Sequence, residues 1–229
     1  MGYYYYDWTI ILVIIGAGLS MLASLMVQST YARYKKAGNK RGYTAEQVAE
    51  EILRSAGINN VSIQRIAGDL TDHYSPNEKI LRLSDSVYGS SSVAAIGVAA
   101  HECGHAIQDQ VDYGPLRLRA MSVPLANIGS RLSFPLIIFG LIIGATPFVK
   151  LGILLFCLVV FFQVITLPVE FDASRRALKV LRERNILYDK ELSGARKVLV
   201  AAALTYVAAV ISSLLQLLRL ILISNSRRR

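Results

Sequence analysis

Three long apolar runs constrain the fold of this chain more than any other feature of its sequence. They cover residues 8–27, 134–169 and 198–223, and 53% of the 229 residues are hydrophobic. A helix needs roughly 20 apolar residues to cross a hydrocarbon core about 30 Å thick. The outer runs fit one span each, whereas the middle run predicts two helices joined near residues 147–150. The sequence therefore predicts a mainly α-helical integral membrane protein with about four transmembrane helices.

The first apolar run is predicted to remain in the protein as an anchor. A signal peptide has a basic leader, but residues 1–7 contain no Lys or Arg. The four tyrosines at residues 3–6 and Trp8 instead suit the membrane–water interface, where amphipathic rings settle.

Basic residues predict which side of the membrane the polar regions face. Lys and Arg concentrate between spans one and two and between spans three and four. The positive-inside tendency places both regions in the cytoplasm and the N-terminus outside. The three arginines at residues 227–229 argue against this, because four spans place them outside. We give the two long regions more weight than the short tail.

The formal net charge of +9 would suit a nucleic-acid partner, but the basic residues flank apolar runs and form no recognisable binding motif. Attraction to anionic lipid headgroups explains them more simply. We expect a lipid bilayer as partner and no nucleic acid. The two cysteines, Cys103 and Cys157, indicate no disulfide framework, which fits a reducing compartment, and both are interpreted as packed side chains.

The polar region between the first two spans is predicted to contain helices and strands. Thr44 and Gln47 match a capping box at the start of a helix that Gly57 ends. Alternation over residues 61–66 and 79–83 predicts two strands that pair as a hairpin, with a turn at residues 75–77 between them. A further helix is predicted over residues 91–110.

That last helix contains the sequence His101-Glu102-Cys103-Gly104-His105. Histidines four apart share one helix face and can bind one zinc ion. Glu102 lies next to the metal position, where it can act as general base toward a water molecule. Cys103 points away from the histidine face, and Gly104 leaves room for the close approach of another element. The alternative is a pair of hydrogen-bonded histidines in a membrane-associated scaffold.

A catalytic zinc ion needs a third protein ligand and an open position. Glu170 and Asp172 follow Pro168, where a cytoplasmic helix is predicted to begin. Two spans separate them from His105, and an even number returns the chain to the same membrane face. The two acids point about 200° apart on a helix, so both cannot bind one ion. Either could also be an ordinary carboxylate stabilised by the helix dipole.

Four segments of the chain resemble the YugP-type membrane zinc metallopeptidases, a family of neutral zinc metallopeptidases. More distantly they are similar to the HtpX proteases and CAAX prenyl endopeptidases of the gluzincin group. The segments are residues 70–74, 79–84, 101–108 and 167–177.

The resemblance implies one zinc ion per chain, bound by His101, His105 and Glu170. Ser174 stands where the wider group has Asp, and its hydroxyl can still hydrogen-bond a ligand histidine. The resemblance also suggests that the strand at residues 79–84 lies beside the active-site helix. There it would either pair with an extended peptide or serve as a structural edge strand. A solvated or capping role is favoured for His73 over a catalytic one.

The resemblance further implies a small α+β zincin-like catalytic domain containing a short β-hairpin. The expected segments are an N-terminal transmembrane anchor (1–28), a zincin-like catalytic region (29–120), a two-helix transmembrane hairpin (121–169), a cytoplasmic helix carrying the third ligand (170–197), and a C-terminal transmembrane helix with a basic tail (198–229).

The predicted function is zinc-dependent hydrolysis of peptide bonds in membrane or unfolded proteins near the cytoplasmic membrane face. The main alternative is a non-catalytic scaffold or chaperone with a structural zinc, which would have no use for Glu102. Cleavage inside the membrane is disfavoured because Gln108 and Asp109 closely follow the motif. A transporter is disfavoured because the spans contain few ionisable residues.

Overall fold

The computed structural model describes residues 7–226 and contains four helices that are long and apolar enough to cross a membrane. They are α1 (Ile10–Lys35), α4 (Gly114–Ile142), α5 (Thr146–Glu183) and α6 (Asp189–Ser226). The predicted interfacial tyrosines at residues 3–6 and the basic tail at residues 227–229 lie outside the described residues. The fold class predicted from the sequence, a helical membrane protein with a small α+β domain, is confirmed.

The chain divides into two compact units, each containing parts of the long helices. One, the bundle unit, consists of Leu118–Thr166 with the residues up to Ser24 and from Thr205 onward. The other, the site unit, consists of Leu25–Arg117 and Leu167–Leu204.

Small residues allow close helix packing in the bundle unit. A methyl group on Gly129 of α4 would collide with the backbone carbonyl of Leu155 in α5. Apolar side chains, among them Ile137, Phe156 and Leu220, form a cluster in this unit. Such packing is typical of membrane helices, where small residues let backbones approach each other.

The site unit adds two shorter helices and a three-stranded sheet. Helix α2 (Ala45–Ser55) begins where the Gln47 side chain accepts a hydrogen bond from the Thr44 N–H at 3.0 Å. The strands are β1 (Ser62–Ile66), β2 (His73–Ser75) and β3 (Ile80–Ser84), followed by α3 (Val93–Gln110).

The core of the site unit packs α2, β3, α3 and α5 together. Each of these elements contributes a fully buried side chain to the core, in order Ile52, Leu81, Ile96 and Leu181. Buried Leu181 belongs to the part of α5 that follows the apolar run, so this part of α5 is held against α3 and the sheet.

The predicted pairing of the two strands is wrong. The sheet order is β1-β3-β2, with β1 and β3 parallel and β2 and β3 antiparallel. The hairpin is therefore formed by β2 and β3, and β2 was missed because it has only three residues. A parallel pair needs a connection that returns the chain to the same end, and the segment containing β2 provides it.

The predicted helix boundaries near Pro168 are also wrong. Helix α5 continues through Pro168 to Glu183, so residues 170–197 do not form a separate helix, and the last helix begins at Asp189. Proline is tolerated within membrane helices because neighbouring groups can satisfy the freed backbone atoms. The turn between α4 and α5 lies at residues 143–145 rather than 147–150, with Gly144 at a φ of 71°.

Candidate metal centre

Helix α3 presents both histidines of the motif on one face. The ring centroids of His101 and His105 are 4.8 Å apart, and the rings are nearly perpendicular. The Nε2 atoms lie 3.2 Å (His101) and 3.7 Å (His105) from the same carboxylate oxygen, Oε2 of Glu170. The two imidazoles therefore converge on one point.

Glu170 reaches this point from α5, far along the chain. Its side chain is only 4% exposed. A methyl group on Gly104 would collide with the backbone carbonyl of Ala173, so the absence of a side chain there lets α3 and α5 touch. The predicted close approach at Gly104 is confirmed, and it explains how two distant segments meet.

The Nδ1 atom of each histidine lies within hydrogen-bond distance of a neighbouring side chain. The Ser174 hydroxyl lies 3.1 Å from His101 Nδ1, and Gln108 Oε1 lies 3.1 Å from His105 Nδ1. When Nδ1 is the protonated nitrogen, Nε2 has a free lone pair for a metal. The contact expected between Ser174 and a ligand histidine is present. The role of Gln108 was not predicted.

Gln108 is itself fully buried and fixed in orientation. Its Nε2 donates to the Val169 carbonyl at 2.8 Å and to Asp172 Oδ2 at 3.0 Å. The amide oxygen is thus left to accept from His105. A polar residue three positions after His105 in a mostly apolar helix was the sequence signal that could have revealed this role.

The Asp172 carboxylate is engaged with other groups. It accepts hydrogen bonds from Gln108, Arg175 and Arg176. The donor atoms that gather within 4.8 Å of one another belong to His101, His105 and Glu170. Asp172 therefore supports the centre through Gln108 and is not in the cluster.

Glu102 is buried beside the cluster and is attached to the sheet. Its Oε2 accepts a hydrogen bond from the Tyr74 backbone N–H in β2 at 3.0 Å. The strand next to Glu102 is therefore β2. Both roles considered for the strand at residues 79–84, pairing with a peptide or serving as a structural edge strand, assumed an edge position. The structure corrects this, because β3 is the central strand, with β1 on one side and β2 pairing with Ile80–Arg82 on the other.

Side chains of the β2–β3 hairpin are tied to one another and to the end of α3. Tyr74 Oη donates to Asp109 Oδ2 at 2.6 Å, and Lys79 Nζ pairs with the same oxygen. Burial and the Asp109 carboxylate raise the pKa of Tyr74. His73 contacts the Thr71 carbonyl at 2.8 Å and Arg82 at 3.3 Å, so both of its ring nitrogens have protein partners.

Two carboxylates, Glu102 and Glu170, act electrostatically on the His105 imidazole. Burial opposes charge on the His105 imidazole, but its hydrogen bond to Glu170 and the Glu102 and Glu170 charges raise its pKa above the ordinary value.

Cys103 is fully buried in the core with its pKa raised by burial, and it packs near the Ala49 carbonyl. Its sulfur is not among the donor atoms that gather in the cluster of His101, His105 and Glu170.

These residues fit a zinc ion. Two imidazole nitrogens and one carboxylate oxygen are a donor set that catalytic zinc uses, with a fourth position left for water. The buried carboxylate of Glu170, which faces both imidazoles, also fits, because buried charges in proteins are paired or coordinate metals.

Comparison with known proteins agrees with a zinc site in this chain. Residues 9–225 match the model of a family described as "Putative neutral zinc metallopeptidase". The chain belongs to this family. It is 44% identical over 214 residues to "Putative membrane protease YugP" of Bacillus subtilis (strain 168), covering 93% of this chain and 95% of that protein. No solved structure matches the chain.

Family membership confirms the resemblance seen in the sequence. Together with the four apolar helices, it identifies a membrane protein of a zinc metallopeptidase family. The zinc implied by the family has a matching cluster in His101, His105 and Glu170.

Proposed function

We propose that this protein is a membrane-bound zinc-dependent endopeptidase that cleaves membrane or unfolded proteins near the cytoplasmic membrane face. The observation that carries the proposal is the convergence of two histidine Nε2 atoms on the Glu170 carboxylate, with Glu102 buried beside them. Its partners are a polypeptide substrate and the lipid bilayer.

His101, His105 and Glu170 would hold one zinc ion, and their geometry is supported by the surrounding contacts. Ser174 and Gln108 orient the two imidazoles, while Gly104 permits α5 to place Glu170 within reach. When bound, zinc supplies a Lewis acid that polarises the scissile carbonyl and makes water easier to deprotonate.

Glu102 is the general base and general acid in this proposal. Its Oε2 is held by the Tyr74 N–H, and its Oε1 makes no hydrogen bond within residues 7–226. The free oxygen can take a proton from the attacking water and later donate it to the leaving amine. A purely structural metal site would need no such carboxylate, which disfavours the scaffold alternative.

Replacing Glu102 by glutamine tests this role. The amide keeps the shape of the side chain but cannot accept the proton, so we expect wild-type zinc content and loss of cleavage. The measurements are zinc stoichiometry and chelator-sensitive degradation of casein by the detergent-solubilised protein. Glu50→Gln, at an exposed position on α2, is the matched control and should cleave normally. Normal turnover by Glu102→Gln would refute the mechanism.

The cytoplasmic location of the site can be tested with a single reporter cysteine. Asn77 is exposed between β2 and β3, and Cys157→Ala removes the less buried native thiol. We expect Asn77→Cys in this background to resist a membrane-impermeant maleimide in intact cells and to react after lysis. Labelling of intact cells would place the site outside.

A further inference from the structure

We propose that a groove between α1 and α6 binds an anionic phospholipid. The groove lies within the site unit and encloses about 710 Å³, which is within the range of about 300–1,000 Å³ typical of ligand sites. Its lining includes Met26, Arg33 and Tyr34 of α1 and Arg196, Lys197 and Leu204 of α6. None of the proposed zinc ligands lines it, so this site is separate from the metal centre.

The polar end of the groove carries three positive charges and no acidic side chain. Arg33, Arg196 and Lys197 are exposed. Within residues 7–226, none of them forms an ion pair, and Arg33 only packs over the Tyr34 ring at 5.7 Å. Uncompensated cations in one groove create a local positive potential that attracts an anion.

The opposite end of the groove is apolar. A methyl group on Gly194 would collide with the Tyr34 ring, so α1 and α6 touch at the cationic end, beside Arg33 and Arg196. Met26 and Leu204 each stand about 10 Å along the helix axis from the nearest of the three cations, given a rise of about 1.5 Å per residue. The groove thus has a cationic end and an apolar end. The distance between the two ends suits the phosphate and the acyl chains of one phospholipid.

The residues that line the groove lie near the ends of two apolar runs, where each helix is expected to pass the level of the lipid headgroups. The first apolar run ends at residue 27 and the last begins at residue 198. The cations therefore lie where both helices leave their apolar segments, and the apolar lining belongs to the segments themselves. Basic pockets between transmembrane helices commonly bind anionic headgroups. A soluble anion would use only the polar end.

Native mass spectrometry of the purified full-length protein tests the proposal. The protein is titrated with phosphatidylglycerol or phosphatidylcholine carrying identical acyl chains. We expect preferential retention of one phosphatidylglycerol molecule. The triple variant Arg33→Gln/Arg196→Gln/Lys197→Gln should lose this preference, with about a fivefold loss for each cation removed.

A matched variant controls for net charge. Arg54→Gln/Arg65→Gln/Lys190→Gln also removes three exposed positive charges, but none of these residues lines the groove, so the preference should remain. If the triple groove variant lacks the wild-type helical circular dichroism signal, Lys197→Gln alone replaces it and should weaken the preference about fivefold.

Three results would overturn the assignment. One is equal retention of the two lipids by the wild-type protein. Another is an unchanged preference in the folded groove variant. The third is displacement of phosphatidylglycerol by an equal concentration of glycerol phosphate, which would show that the groove recognises phosphate without the acyl chains.

Discussion

Replacing Gln108 by leucine removes three hydrogen bonds at the edge of the metal centre. Gln108 accepts from His105 Nδ1 at 3.1 Å and donates to Val169 and Asp172 at 2.8 and 3.0 Å. Leucine fills a similar volume, so the loss falls mainly on the buried polar groups left behind. Each unsatisfied group costs about 1–3 kcal/mol. Since Asp172 keeps its arginine partners, two groups lose a partner, and we expect a total destabilisation of about 2–6 kcal/mol.

The same substitution should also weaken zinc binding. Loss of a partner that orients a ligand histidine typically lowers metal affinity 10–100-fold. We therefore expect Gln108→Leu to lose zinc to a competing chelator at a correspondingly lower concentration. Gln110→Leu, at an exposed position at the end of the same helix, should retain wild-type affinity. A folded Gln108→Leu protein with wild-type zinc affinity would refute the proposed role.

Three further experiments, two of them paired with a comparison variant, test the assembly of the centre. Glu170→Ala should abolish stoichiometric zinc binding measured by metal analysis, whereas Asp172→Asn should retain most of the zinc; the reverse result would exchange their roles. Gly104→Ala should destabilise the protein by about 1–3 kcal/mol in denaturant unfolding, whereas Gly114→Ala, which meets no neighbouring atom within 4 Å, should not. Ser174→Ala should lower zinc affinity about tenfold without preventing folding, and unchanged affinity would show that its hydroxyl is dispensable.

Much of the fold and the composition of the site could be predicted because their signals are local or topological. The apolar runs identify the spans, since bilayer thickness sets helix length. The spacing of His101 and His105 places them on one helix face, and the two spans predicted between His105 and Glu170 return the chain to the same side of the membrane. The structure gathers these three residues in one cluster.

The remaining features depend on contacts that the sequence does not reveal. Strand β2 has only three residues and forms through pairing with β3, so no periodic pattern marks it. Helix α5 continues through Pro168 because packing overrides the local preference. Gln108 acquires its role only when α3 meets α5, which brings Val169 and Asp172 to its amide.

The most direct test of the central claim is the anomalous diffraction signal at the zinc edge from crystals of the Glu102→Gln variant. The account predicts one peak per chain, in contact with Nε2 of His101, Nε2 of His105 and the Glu170 carboxylate. A peak bound instead by Asp172 or Cys103, or no zinc peak in crystals of zinc-loaded protein, would contradict it.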